Sequence, residues 1–334
     1  MKIHLLGVSN HPLSKSCVED FARLPRASRS QKHTLCDSPD DADLILVVDF
    51  HLMLDNPLMR PFYTHPVVKK HGPRVFAWDQ RPVNWLTCAG VAVSTEKRWL
   101  QSEFQAPFMY YFLRHPYIEN LDGPILELPE NRTPQFLASF TGARSHPLRE
   151  AIFGIQDPRF SVRHISFRDN PQYDAATAKS LAQRTYIESM TDAKFVLCPR
   201  GRATSSYRLY ETMALSRAPV ILADEWAAPS GVDWDACSIR IPEAQIPHLP
   251  ELLRPYEERW AEMGAAARRA WENSLSAEVR FDRAIELCTP VMEKGNGGPR
   301  PLAFSHPAFR KSLAMALHRR AGQTKKAVKK LIKR

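Results

Sequence analysis

The sequence predicts an α/β fold with parallel sheets in two domains. Short apolar runs alternate with stretches of helical periodicity along the chain, which is typical of strands joined by helical crossovers. Polar or glycine residues directly follow several of these runs, and an open α/β sheet binds its ligands at that position. The length of 334 residues suits two domains better than one.

Nine apolar runs are predicted to be strands. They lie at 3–8, 44–48, 74–78 and near Val91 in the first half, and at 136–140, 162–165, 195–198, 219–222 and 238–241 in the second. The first strand is followed by GVSNHP rather than GxGxxG, and no GxxxxGK[ST] occurs. A Rossmann dinucleotide site and a P-loop are therefore not supported.

Two loop-like segments divide the chain. Residues 120–135 are rich in Pro, Gly and Asn, which predicts a linker and a domain boundary near 130. KGNGGPRP at 294–301 predicts a second break. We therefore expect an N-terminal domain over 1–130, a C-terminal domain over 131–293 and a basic tail over 294–334.

The formal charge of +10 lies in this tail. Residues 294–334 contain twelve Lys or Arg and no Asp or Glu, which leaves 34 basic and 36 acidic residues in the rest of the chain. Apolar residues interleave with the basic ones over 307–334 and predict an amphipathic helix that binds an anionic membrane surface. The alternative is a solvated tail that only aids solubility or contacts nucleic acid non-specifically; specific nucleic-acid binding is not expected.

The sequence favours a cytoplasmic protein with reduced thiols. Its six cysteines show no CxxC pair and no zinc-like spacing. The N-terminus lacks a signal-peptide core, and no apolar stretch approaches the roughly 20 residues that span a bilayer. We expect a cytoplasmic location, with the tail able to hold the protein peripherally on the inner membrane face.

The most informative segment is residues 194–234. It is predicted to form a strand at 195–198, a tight loop, a helix from about 204 to 215 and a strand at 219–222. The loop contains Arg200, Gly201 and Arg202, and hydroxyl residues follow at the helix start. Free backbone N–H groups, the helix dipole and two guanidinium groups together predict an anion site that suits a diphosphate.

Further along the same helix, Arg208 and Glu211 share one face, while Tyr210, Met213 and Ala214 are predicted to pack on the sheet. A carboxylate one to two turns below a phosphate-binding helix start can accept hydrogen bonds from a ribose diol. The alternative is an exposed ion pair that stabilises the helix by a few tenths of a kcal/mol.

These residues resemble the exostosin domain of glycosyltransferase family 47. The resemblance is strongest in F-x-L-C-P-R-G-R-x-x-S-S-Y-R-L-x-E-x-M, A-P-V-I-L-A-D-E-W and V-D-W over 194–234. YIESMTDAK at 186–194, Phe140-Thr141-Gly142 with Leu148-Arg149, and ADLILV at 42–47 extend it to roughly residues 40–255. The sequence departs from the family at Ser216-Arg217-Ala218 and in its short N-terminal half, which leaves the acceptor open.

The resemblance implies a GT-B enzyme with two Rossmann-like domains facing across a cleft. Family members are inverting, mostly use UDP-sugars, bind the donor mainly in the C-terminal domain and the acceptor in the N-terminal one. Matching positions imply diphosphate contacts from Arg200, Gly201, Arg202, Ser205 and Ser206, charge neutralisation by Arg208, ribose binding by Glu211 and a backbone donor from Gly142.

No metal and no cofactor are expected, since the nucleotide sugar is a substrate. Cleavage of the sugar–phosphate bond builds negative charge on the departing diphosphate, which a metal or fixed positive groups must stabilise. The Asp-x-Asp triplet at 41–43 precedes a strand rather than following it and is interpreted as a helix end or turn. Arginines and the helix dipole are therefore expected to take the place of a metal.

An inverting transfer also needs a general base, expected in the N-terminal domain. Asp49, His51 and Asp79 follow predicted strands and are the candidates, of which one is expected to act. A structural capping role is the alternative for each. Asp224 follows the strand after the motif helix and either lines the donor sugar pocket or shapes a turn.

The sequence thus predicts an inverting, metal-independent glycosyltransferase. It would move a sugar from a UDP-sugar to a glycan or lipid-linked acceptor in surface polysaccharide biosynthesis. Two alternatives stay open: a GT-B transferase that uses a GDP-sugar, as fucosyltransferases do, and a catalytically inactive nucleotide-sugar-binding protein.

Overall fold

A computed structural model of the chain contains two compact units. It describes residues 1–53, 59–81, 88–113, 115–121, 123–127, 133–165 and 175–300, together with positions 310, 313, 314, 317 and 321. The first unit comprises Met1–Tyr111 and Arg280–Arg334, and the second comprises Phe112–Val279. Each unit is built on one parallel sheet, so the predicted α/β class with two parallel-sheet domains is confirmed.

The sheet of the first unit has the strand order β2-β1-β3-β4-β5-β6, and all its pairs are parallel. Apolar side chains of β3 and β4 are buried on both faces, as in other parallel sheets covered by helices. The strands are β1 (Lys2–Leu6), β2 (Thr34–Leu35), β3 (Leu44–Val47), β4 (Val75–Asp79), β5 (Gly90–Ala92) and β6 (Gln105–Pro107). The helices are α1 (Ser14–Phe21), α2 (Arg23–Ala27), α3 (Arg60–Thr64) and α4 (Pro66–His71).

The sheet of the second unit has the order β11-β10-β9-β7-β8 and is also parallel. Its core contains Phe140, Phe195 and Val220 among other fully buried apolar side chains. The strands are β7 (Phe136–Gly142), β8 (Phe160–His164), β9 (Ala193–Pro199), β10 (Ala218–Leu222) and β11 (Ile239–Arg240). The helices are α5 (Leu148–Phe153), α6 (Ala175–Thr191), α7 (Tyr207–Ala214), α8 (Trp234–Cys237), α9 (Leu249–Leu253), α10 (Trp260–Ser274) and α11 (Ala277–Glu293), which continues into the first unit.

Both sheets are doubly wound. The second strand is added on one side of the first, and the later strands are added on its other side, so the strand order reverses there. The reversal falls between β1 and β3 in the first unit and between β7 and β9 in the second. In open α/β sheets, ligands bind at the carboxyl ends of the strands on either side of such a reversal. In the second unit these ends are Gly142 and Pro199.

All nine predicted strands are present, with ends shifted by a few residues. Two short edge strands, β2 and β6, were not predicted. β2 has two exposed residues, and β6 is three residues long and ends in a proline. Neither therefore carries the apolar run on which the prediction depends.

The domain boundaries differ from the predicted ones. The first unit ends at Tyr111 rather than near 130, so the segment predicted as a linker belongs to the second unit. The second unit ends at Val279 rather than at 293, because α11 packs within the first unit from Arg280 onward.

Hydrogen bonds explain why α11 belongs to the first unit. Arg280 is fully buried and its Nη1 donates to the Tyr111 carbonyl at 2.7 Å. The Asp282 carboxylate accepts hydrogen bonds from the hydroxyls of Ser28 and Ser30. Such contacts join positions far apart in sequence, and helical periodicity alone does not reveal them.

Within the part of the chain that the structure describes, no helix is long and apolar enough to cross a membrane. The predicted amphipathic tail over 307–334 lies almost entirely outside the described residues.

Candidate functional site

The loop after β9 leads directly into α7 at the strand reversal of the second unit. α7 begins at Tyr207 rather than at 204 as predicted. Ser206 has extended backbone angles (φ −134°, ψ 137°) and therefore stands at the N-cap position, just before the first helical residue. The Ser206 side chain makes no capping hydrogen bond. Thr204 and Ser205 are buried in the loop. The positive end of the α7 dipole thus lies next to this loop.

Arg208 is buried in this site with only part of its guanidinium satisfied. Its Cζ lies 4.5 Å from the centre of the Phe140 ring and 5.4 Å from that of Tyr186. Its Nη2 donates to the Thr141 carbonyl at the end of β7. Its Nε is buried without a hydrogen-bond partner. A buried cation in this state favours the approach of an anion.

Glu211 lies one turn further along α7 and is only 5% exposed. It accepts a hydrogen bond of 2.6 Å from the Tyr186 hydroxyl of α6. Burial raises the pKa of Glu211 to about 7, although the Tyr186 hydrogen bond and the Arg208 charge both act to lower it. The alternative of an exposed helix ion pair is therefore wrong for Arg208 and Glu211.

Arg149 on α5 joins the two loops that flank the site. Its Nη1 donates to the Ala143 carbonyl at 3.0 Å, its Nε to Arg200 at 3.1 Å and its Nη2 to Pro199 at 3.4 Å. Burial, and then the nearby charge of Arg208, lower the pKa of Arg149 to about 10. The sequence pointed to this residue only through the family resemblance and gave it no role.

Two glycines allow the arginines to approach this closely. A Cβ on Gly142 would lie 2.9 Å from Nη2 of Arg208 and 3.1 Å from Cζ of Phe140. A Cβ on Gly201 would lie 3.2 Å from Nη2 of Arg149. Gly201 was expected to leave room for a phosphate. It also leaves room for the Arg149 guanidinium that packs against it.

The remaining predicted donor residues are distributed around this centre. The Arg200 side chain is 15% exposed, with its Nη1 3.9 Å from the Glu243 carboxylate, and Arg202 is exposed. Asp224 is exposed and exchanges hydrogen bonds with Glu243, whose N–H donates to Asp224 and whose carboxylate accepts from the Asp224 N–H. This arrangement fits the turn role that we considered for Asp224.

Ser205, another predicted donor residue, lies within 3.5 Å of the Tyr210 hydroxyl.

The carboxylates of Asp49 and Asp79, two candidate bases of the first unit, have structural partners. Asp49 is fully buried and accepts hydrogen bonds from the N–H groups of Val8 and Ser9 and from the Ser14 hydroxyl at 2.6 Å. Asp79 forms a buried two-pronged ion pair with Arg81. These partners favour the capping role that was the alternative for both carboxylates.

His51 lies in a short 3₁₀ turn, Phe50–Met53, just after β3. Its ring is half-buried and 6.0 Å from the ring of Tyr111. A groove of about 550 Å³ in the same unit lies at the carboxyl end of β1 and is lined by Ser9, Asn10 and His11 among others. The assignment of His51 as the base stays a prediction.

The chain belongs to the exostosin family of glycosyltransferase family 47. Residues 65–255, more than half of the chain, match the Exostosin GT47 domain. The family predicted from the motif over 194–234 is confirmed, as is the GT-B fold class at the level of two parallel α/β units.

Curated relatives match part of the chain. An exostosin-1 homologue of Caenorhabditis elegans is 31% identical over 36% of this chain and 30% of its own length. The probable β-1,4-xylosyltransferase IRX10L of Arabidopsis thaliana is 36% identical over 41% of this chain and 28% of its own length. The probable glucuronosyltransferase GUT1 of rice is 34% identical over the same share of each. The chain thus spans less than a third of these relatives.

Solved structures show a distant likeness. TarM matches with a TM-score of 0.32 and 16% identity over 50% of this chain and 37% of its own. Anabaena HepE, in complex with UDP and glucose, matches with a TM-score of 0.37 and 9% identity over 88% of this chain and 98% of its own. At these scores the likeness adds nothing to the family assignment.

Proposed function

We propose that this chain is a glycosyltransferase that moves a sugar from a nucleoside diphosphate sugar to a hydroxyl group of a glycan or glycolipid. The supporting observation is the positive charge buried at the strand reversal of the second unit. Arg149 and Arg208 are 9% and 7% exposed, and the largest charge effect on Arg149 comes from Arg208, another cation. Two buried cations that lie together beside a helix N-terminus are stabilised by an anion such as a diphosphate.

The same charges suit the chemistry of the transfer. When the bond between the anomeric carbon and the phosphate oxygen breaks, the diphosphate leaves with the electron pair. Arg208, the Arg200 side chain and the first N–H groups of α7 would stabilise the charge that develops there, in place of a metal ion. Glu211, a little over one turn from the start of α7, would accept hydrogen bonds from the ribose.

The acceptor oxygen would then form a bond to the opposite face of the anomeric carbon and lose its proton to a base. Asp49 and Asp79 already accept hydrogen bonds from N–H, hydroxyl or guanidinium groups. We propose His51, whose half-buried imidazole follows β3, as the base and the first unit as the acceptor-binding domain. An attack from the opposite face gives inversion.

For the donor we propose a UDP-sugar. Relatives are named as xylosyl- and glucuronosyltransferases, so UDP-xylose and UDP-glucuronic acid are the first donors to test. Surface polysaccharide or glycolipid is the proposed acceptor class.

Calorimetric titration of the purified protein with UDP and GDP tests the proposal, followed by assays of UDP release from the two UDP-sugars. We expect UDP to bind more tightly than GDP and to be released from at least one donor. Tighter binding of GDP would favour the GDP-sugar alternative. Nucleotide binding without hydrolysis or transfer would favour an inactive binding protein.

The Arg208→Gln variant locates the site. Removing one charged partner of a buried ionic hydrogen bond costs about 1.5–3 kcal/mol, so UDP affinity should fall roughly 10- to 100-fold. The matched control is Arg163→Gln, an exposed arginine on β8 of the same unit. Equal UDP affinity in the wild-type and Arg208→Gln proteins would reject the proposed site.

A further inference from the structure

We infer that Arg149 is a positioning residue that fixes the two loops of the donor site without touching the donor. The inference rests on the proposed function, because it concerns the same site. The Arg149 guanidinium binds three carbonyl groups, and these lie on both sides of the strand reversal.

The three hydrogen bonds join segments that are distant in sequence. Ala143 directly follows β7, whereas Pro199 ends β9 and Arg200 begins the loop to α7. β7 and β9 are neighbours in the sheet, so their carboxyl ends form opposite sides of the predicted anion site. Arg149 sets the separation of these two sides.

Most of the Arg149 guanidinium is bound by the protein itself. The residue is 9% exposed, three of its five N–H groups donate to carbonyls, and its Cζ lies 5.5 Å from the centre of the Phe140 ring. Arg208 lies 4.5 Å from the same ring. A shift of Arg149 would therefore also disturb the ring on which the phosphate-facing arginine packs.

The planar guanidinium of arginine has N–H groups in fixed directions, and this geometry is needed to bind three carbonyl oxygens at once. Lysine carries the same charge as a single ammonium on a flexible chain and cannot reproduce this geometry. Substitution by lysine therefore separates positioning from charge: a purely electrostatic role would survive it, and a positioning role would not.

The same unit offers a matched control in Arg217. It is also buried and also donates to three carbonyls, those of Ala193, Thr191 and Ser216, at 2.9, 2.7 and 3.2 Å. Its Cζ lies 5.4 Å from the Trp260 ring. Arg217 immediately precedes β10, at the amino ends of β9 and β10, so it lies at the opposite edge of the sheet from the donor site.

The experiment compares Arg149→Met, Arg149→Lys and Arg217→Met in the full chain. Thermal unfolding measures the structural cost, calorimetry measures the dissociation constant of UDP, and the assay of UDP release gives KM and kcat for the donor. We expect Arg149→Met and Arg217→Met to lower the melting temperature by similar amounts. UDP affinity should fall at least tenfold in Arg149→Met, at least fivefold in Arg149→Lys and less than twofold in Arg217→Met.

The donor KM and kcat should also distinguish the Arg149 variants from the Arg217 control. A loop displaced from the diphosphate weakens ground-state binding, so the donor KM should rise more than kcat falls in the Arg149 variants. Should Arg149→Met fail to fold, Arg149→Lys still decides the question.

Wild-type UDP affinity in Arg149→Lys would overturn the positioning role, as would equal losses of affinity in Arg149→Met and Arg217→Met. In both cases the wild-type protein still binds UDP, so the proposed function stands. If the wild-type protein does not bind UDP, the proposed function and this inference both fail.

Discussion

Gly142 shows how a single residue limits the candidate donor site. It ends β7, and the space where its side chain would lie is occupied by the Arg208 guanidinium and the Phe140 ring. Gly142→Ala should displace Arg208, because a Cβ at 2.9 Å from its Nη2 is closer than such atoms normally come. We expect UDP affinity to fall about tenfold, measured by calorimetry, with the fold retained by circular dichroism.

Gly154→Ala is the matched control for this substitution. Gly154 caps α5 in the same unit, and a Cβ there would lie 3.4 Å from the nearest atom, the Ala151 carbonyl oxygen, which is ordinary contact. Its UDP affinity should equal that of the wild-type protein. Unchanged affinity in Gly142→Ala would show that Arg208 can move without loss of binding.

Single residues of the site were predictable from the sequence only where their neighbours in the chain carried the signal. Arg200 and Arg208 stand in one segment with the loop and helix that position them, so the spacing indicated an anion site. Arg149 and Tyr186 act through partners 50 and 25 residues away. No local pattern encodes those contacts.

At the scale of secondary structure elements, α6 and α7 are linked through Tyr186 and Glu211. The folded-state pKa of Glu211 is about 7, above its ordinary value of 4.5. A carboxyl group with a raised pKa favours the folded state most at low pH, and this contribution is lost as the pH rises from 4.5 through 7. Substituting Gln for Glu211 removes the titration, and substituting Phe for Tyr186 removes a hydrogen bond that lowers the pKa.

Urea unfolding of the wild-type, Glu211→Gln and Tyr186→Phe proteins between pH 5 and 8 measures this link. The free energy of unfolding of Glu211→Gln relative to wild type should increase with pH, by up to about 3 kcal/mol. In Tyr186→Phe the decline with rising pH should continue to higher pH than in wild type. A difference between wild type and Glu211→Gln that is constant over this range would contradict the raised pKa.

Elements were predicted well where apolar runs or helix caps mark them. β3, β4 and β9 are buried runs and lie close to their predicted positions. The start of α7 was placed too early, because a run of hydroxyl residues offers several possible N-caps. The extended backbone of Ser206, which depends on the surrounding loop, selects the last of them.

At the scale of the whole molecule, the two sheets share one strand order but differ at the reversal. In the first unit the Asp49 carboxylate binds the N–H groups and the hydroxyl at the ends of β1 and α1, so a side chain occupies the position of an anion. In the second unit arginines and a helix start lie there instead. Among the described residues, this difference favours the strand reversal of the second unit as the position of the proposed anion site.

Most of α11 belongs to the first unit, although it follows the second unit in the chain. Asp282→Ala removes the acceptor for the hydroxyls of Ser28 and Ser30, so the first unit should lose about 1–3 kcal/mol of stability. Hydrogen exchange of peptides covering 23–35 and 277–293 should speed up, while UDP affinity at 25 °C stays unchanged, because the donor site belongs to the second unit. Glu293→Ala, at the exposed end of the same helix, is the control and should leave exchange unchanged. Equal exchange in wild type and Asp282→Ala would mean that other contacts hold α11 in place.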